Sequence, residues 1–124
     1  MRLVLLSLCS ALLATGCGST GGPQPLRVSC GGTSNTVLFD RSCLADADCA
    51  AVTHETDCCG TVQISGISRH AVQSFQSLES DCATKQARCA CATSPSQTDD
   101  GSVLTPGRQV ALSCVHGQCF TTVR

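Results

Sequence analysis

Cysteine is the residue type here with the most chemistry to offer. The chain holds 12 in 124 residues, and their spacing admits metal ligation, thiol redox cycling or crosslinking. Cys58 and Cys59 are adjacent in HETDCCGT, and Cys89 and Cys91 form a C-x-C. Cys43 and Cys49 stand as C-x5-C, and Cys114 and Cys119 as C-x4-C. Structural zinc sites present close pairs such as C-x2-C or H-x3-H. Only Cys114 and Cys119 have a fitting gap, with His116 between them, so a metal site is not expected. No C-x-x-C occurs, the spacing that sets a low-pKa thiol at a helix N-terminus. Some redox proteins use C-x-C, but on a strand that spacing puts two side chains on one face, which suits two bridges into one core. Adjacent residues of an extended chain point opposite ways. Cys58 and Cys59 are therefore expected to reach different parts of the fold.

Other chemistries have less to stand on. The chain lacks G-x-S-x-G, and His54, His70 and His116 are expected on a strand, a helix start and a turn. Asp57 reads as a turn former whose carboxylate accepts backbone N–H bonds. No catalytic residue and no cofactor is expected. Asp99-Asp100 lacks the rest of a calcium loop and reads as a solvated turn. A formal net charge of −1, no basic stripe and no Trp or Tyr argue against a nucleic-acid partner, which needs cationic grooves and stacking rings.

Compartment decides among the cysteine chemistries. The N-terminus reads MRLVLLSLCSALLATGC: one basic residue, an apolar run, then small residues. That is the anatomy of a signal peptide, and the run is far short of the roughly 20 apolar residues that span a bilayer. Its ending, Leu13-Ala14-Thr15-Gly16-Cys17, resembles a bacterial lipobox. The resemblance implies cleavage after residue 16 and acylation of Cys17 (diacylglycerol on sulfur, with a further acyl chain such as palmitate), anchoring the protein to a lipid bilayer. Gly18 after that cysteine, in place of aspartate, implies sorting to the outer membrane. Residues 17–29 then serve as a Gly/Ser/Pro-rich tether.

Removing Cys9 with the signal peptide and Cys17 to the lipid leaves Cys30, Cys43, Cys49, Cys58, Cys59, Cys82, Cys89, Cys91, Cys114 and Cys119. An exported chain with an even number of cysteines at this density reads as a disulfide framework, of open connectivity. Composition explains the need for one. Aromatic rings are the largest blocks of buried apolar area, and the chain has three, Phe39, Phe75 and Phe120. A core of Ala, Val, Leu and Ile in so small a domain is marginal, whereas each native disulfide contributes about 2–4 kcal/mol.

The elements that must place these cysteines follow from period and punctuation. Residues 36–40 (TVLFD), 50–54 (AAVTH) and 61–67 (TVQISGI) read as short strands. Ser68 can cap a helix whose Ala71, Phe75, Leu78 and Cys82 recur at helical spacing, ending near residues 84–85. Residues 87–93 (ARCACAT) look like another strand. Residues 94–107 form a long polar loop with turn chemistry at Asp100-Gly101 and Pro106-Gly107. The last segment is a hairpin turning at His116-Gly117, with Cys114 directly opposite Cys119. Those two can bond to each other or reach different elements. The expected fold is α+β: one small disulfide-rich domain over residues 30–124, an antiparallel sheet with one helix packed on it and a C-terminal hairpin.

From Cys43 onward, the C-x5-C, the TDCCG, the helix with Phe75 and Glu79, the C-x-C and the DDG together resemble small cysteine-rich lipoproteins of myxobacterial type. That resemblance implies fold and compartment only. The resulting expectation is a lipid-anchored cell-envelope protein, not an enzyme, whose domain lies in the periplasm or at the cell surface. It would act as a binding or structural module, with an envelope protein as a partner and the loop at residues 94–107 as the binding segment. Two other readings stand beside it: a protease-inhibitor-like module using that same loop, and a periplasmic thiol-redox protein using Cys89 and Cys91.

Overall fold

A computed structural model describes residues 21–31 and 35–124. The signal segment, Cys9 and Cys17 lie outside the described residues. The described residues form an α+β domain of three two-stranded antiparallel hairpins and one α-helix, held by five disulfides.

The domain begins earlier than expected. Leu26–Ser29 form strand β1, paired with β2 (Thr36–Phe39) so that Leu26 faces Phe39 and Ser29 faces Thr36. The segment assigned to the tether up to residue 29 therefore carries structure from Leu26. Its pattern is short but regular: Val28 is buried and Leu26 half-buried, while Arg27 and Ser29 face outward, the alternation a half-buried strand requires.

β3 (Cys49–Glu55) and β4 (Val62–Ser68) form the second hairpin, with Cys49 opposite Ser68 and Glu55 opposite Val62. β4 is buried continuously from Ile64 to Ser68, because both its faces are covered. Ile67 packs in the main core with Val28, Phe39, Val52, Ala71 and Phe75. Gly66 lies against β6 (Gln118–Val123): a Cβ there would stand 2.7 Å from both the Cys119 carbonyl carbon and the Phe120 nitrogen. Only a glycine lets the two backbones approach so closely.

After β4 the chain makes a 3₁₀ turn (Arg69–Ala71) and enters α1 (Val72–Lys85). Phe75 and Cys82 are buried and Leu78 is partly so, as the helical spacing predicts. Phe75 meets Phe39 edge to face, centroids 5.2 Å apart, a favoured aromatic geometry. Ser68 does not cap the helix with its side chain; its hydroxyl instead pairs with His70 Nδ1 at 2.8 Å. The tight first turn supplies its own bond, Val72 N–H to Arg69 O, in place of the expected cap.

The strand expected at residues 87–93 is absent, since that stretch has no ladder partner. It is fastened by Cys58–Cys89, Cys59–Cys91 and a single Cys89 N–H bond to Cys58 O at 2.9 Å. A strand needs a row of such bonds, and the bent turn at Asp57–Gly60 offers no straight edge for one. β5 (Val110–Val115) and β6 form the C-terminal hairpin with Cys114 opposite Cys119. His116 (φ 50°) and Gly117 (φ 76°) make its two-residue turn, both in the left-handed region such hairpins favour.

Candidate functional site

All ten cysteines assigned to the framework are paired. Cys30–Cys82 ties the end of β1 to α1. Cys43–Cys114 and Cys49–Cys119 run from the 43–49 segment to neighbouring positions of the C-terminal hairpin, so Cys114 and Cys119 reach different elements. Cys58 and Cys59 bond to Cys89 and Cys91 in the same order. They therefore diverge to two partners, but those partners sit in one short segment. Among the described residues two groups of three sulfurs lie within 4.8 Å of one another, Cys43 with Cys49 and Cys119, and Cys58 with Cys59 and Cys91. In the oxidised protein each of these sulfurs lies in a disulfide, and it is the thiolate that ligates metals.

The loop at residues 94–107 is fastened to the fold at Gln97–Asp99, while most of its other residues remain exposed. Gln97 bridges to β4, its N–H on Val62 O at 3.1 Å and its carbonyl receiving Ile64 N–H at 2.7 Å. Thr98 is 1% exposed, so the loop is anchored inside the fold. Asp99 is no solvated turn residue. Its Oδ2 meets Arg41 Nη2 at 2.7 Å and accepts N–H bonds from Gly66 (2.8 Å) and Thr121 (2.9 Å). Arg41 also donates to Cys119 O from Nε and Nη2, and its guanidinium lies 6.0 Å from the Phe120 ring centroid. Asp100 does behave as a turn residue, accepting from Thr98 Oγ1, Ser102 N–H and Ser102 Oγ. Two carboxylates aimed apart in this way do not make a calcium site. Arg41 carries no sequence signal of its role, because a lone Arg after a strand is ordinarily solvated.

The segment that stands out is the one between Cys43 and Cys49, CLADADC. Disulfides fix both its ends. Inside it, Asp48 Oδ2 accepts the N–H groups of Leu44 (2.9 Å) and Ala45 (3.0 Å), and these donors hold the Asp48 carboxyl below the usual aspartate range. Asp46 Oδ1 accepts Cys114 N–H at 2.7 Å. Arg69 donates from Nε to Ala47 O and from Nη2 to Cys49 O. Hydrogen bonds fasten the loop at Leu44, Ala45, Ala47 and Asp48, yet Leu44 is 99% exposed. A rigid loop thus presents one large apolar side chain to solvent.

An open groove of about 610 Å³ runs beside it, lined by Ser42, Leu44, Asp48, Ser68, Arg69 and His70. In it Ser68 Oγ meets His70 Nδ1 at 2.8 Å, and His70 Nε2 meets Asp40 Oδ2 at 3.1 Å. The order serine–imidazole–carboxylate is that of a nucleophilic triad; Ser68 lines the groove but is only 4% exposed. Asp40 is held low in pKa by the Ser42 N–H and then the Ser42 hydroxyl, so it closes the Asp40–Ser42 turn. The Arg69 guanidinium is likewise occupied by loop carbonyls. His54 pairs elsewhere, Nδ1 to Glu79 Oε1 at 2.6 Å, joining β3 to α1, and His116 lies in the hairpin turn. The three histidines have separate settings, and the groove's polar groups shape its walls.

No protein-family model, curated protein or solved structure matches the chain.

Proposed function

We propose that this is a lipid-anchored protein of the bacterial cell envelope, acylated at Cys17, carrying a disulfide-stapled, non-catalytic binding or structural module, with the outer membrane as its site. The observation that carries this reading is the pairing of all ten framework cysteines with one another. A complete framework of this kind belongs to an oxidising compartment, and it makes no claim on Cys17, the sulfur that follows the lipobox-like sequence. Among the described residues no helix is long and apolar enough to cross a membrane, so attachment in this reading rests on the acyl chains.

The test is the intact mass of the mature protein extracted from membranes, measured before and after reduction. The expected result is an N-terminal Cys17 bearing acyl chains, and a gain on reduction equal to ten protons, two per disulfide. A mature chain that begins elsewhere, or a Cys17 without acyl mass, overturns the lipoprotein reading.

A further inference from the structure

The β1–β2 register makes the N-terminal segment and the 40–44 segment leave the fold at the same end. Leu26 faces Phe39, so the chain enters β1 where it departs β2. Both segments then run toward the tip of the C-terminal hairpin. On one side, Arg41 O accepts Cys119 N–H, Ser42 bridges Gln118, and Cys43 N–H donates to Gly117 O. On the other, Gln24 N–H donates to Gln118 Oε1, and residues 21–23 line a hollow with Val115, His116 and Phe120. Gly21, Leu44 and the exposed Val115 therefore gather at one pole of the domain.

We propose that this pole, with Leu44 at its apex, rests on the bilayer surface and dips the Leu44 side chain into the headgroup–acyl boundary. The proposal builds on acylation of Cys17. Only three residues lie between Cys17 and Gly21, four steps that span at most about 14 Å, so a lipid at Cys17 keeps this pole, and no other, beside the membrane. Leu44 then has an apolar phase within reach, which accounts for a fully exposed leucine on a loop with its backbone fastened. The acyl chains supply the attachment; Leu44 supplies the orientation, since burying one leucine favours the seated pose by roughly tenfold or more. Asp46 and Asp48 flank Leu44 at the surface. Their charge suits the ammonium of phosphatidylethanolamine and opposes anionic phosphatidylglycerol.

The chain has no Trp, so a single indole reports depth. Full-length acylated Leu44→Trp and, as the control far from the pole, Val103→Trp are reconstituted into phosphatidylethanolamine/phosphatidylcholine vesicles, with and without acyl-brominated phosphatidylcholine. Val103 pairs with Gln97 beside Ile64 of β4, away from the hairpin tip. The expected result is blue-shifted emission and bromine quenching at position 44, neither at position 103, and weaker quenching at 44 as phosphatidylglycerol is added. Equal, unquenched emission at both positions, with acyl chains present on Cys17 by mass, overturns the proposal and leaves the lipoprotein reading intact. Absence of acyl mass overturns both. Quenching of equal strength at both positions also refutes it, because the domain then has no preferred pole.

Discussion

Replacing Asp99 with alanine tests the buried polar centre that joins the long loop to the two inner strands. The Asp99 side chain is 6% exposed and that of Arg41 is 10%, so neither charge is well solvated. Asp99→Ala removes the acceptor for Arg41 Nη2, Gly66 N–H and Thr121 N–H. Leaving a buried charge without its partner costs about 3–5 kcal/mol. Each orphaned N–H can add about 1 kcal/mol or more, reduced if water fills the vacated space. Arg41 retains Cys119 O, so the lower half of the charged term applies, about 3–4 kcal/mol, and the two N–H groups, partly solvated by water, bring the expected total to about 4–6 kcal/mol. Arg41→Met should cost less, because the Asp99 carboxylate keeps its two backbone donors. The pair should show a coupling energy of about 1 kcal/mol or more in a double-mutant cycle. Equilibrium urea unfolding with disulfides intact, followed by circular dichroism, reads these values, and the crosslinks keep the variants folded enough to measure. An Asp99→Ala cost below about 1 kcal/mol, or one erased by salt as exposed pairs are, would refute the argument that this is a buried structural pair.

Gly66→Ala should lower stability by about 3 kcal/mol or more, since its Cβ would meet β6 backbone at 2.7 Å, and backbone cannot swing away; a thermal midpoint equal to the wild type's would show that the strands part easily. Acidification should destabilise the domain. Asp40, Asp48 and Asp100 all titrate below the ordinary 3.8 in the fold, with the Thr98 hydroxyl and then Ser102 N–H the main causes at Asp100. A lowered folded pKa gives stability that is complete above the ordinary value and lost as pH falls through the depressed ones. Urea midpoints should thus be level from pH 7 to 5 on their account and drop below about pH 4; a midpoint unchanged down to pH 2 would contradict this. Stepwise reduction with mass-spectrometric alkylation mapping should open Cys58–Cys89 and Cys59–Cys91 first, because Cys89 and Cys91 are exposed and exchange depends on access. Cys49–Cys119, with both residues 0% exposed, should open last, with loss of the native circular dichroism. The reverse order would sink the argument.

Several features were legible in the residues because their causes are local. The strand at residues 61–67, the helical recurrence of Ala71, Phe75, Leu78 and Cys82, and His116-Gly117 as a two-residue turn each rest on backbone geometry within a few positions. The opposite placement of Cys114 and Cys119 follows from that turn alone. Where local signals were thin the reading failed: β1 is four residues long after a Pro/Gly-rich stretch, and ARCACAT alternates without a partner strand to pair with.

The sequence by itself determined that this is a small, disulfide-rich α+β domain, because its cysteine density and scarcity of aromatic rings are compositional facts with direct energetic consequences. Which cysteine meets which, why Asp99 is buried and Asp100 is not, and why Leu44 stands alone in solvent were decided only by the tertiary structure. Cys49 and Cys119 lie 70 positions apart, Arg41 and Asp99 are also far apart in the chain, and no local pattern encodes such a meeting. It arises when the hairpins pack, as Gly66 lets β4 and β6 close to backbone contact and brings the side chains around them into a shared, water-poor centre.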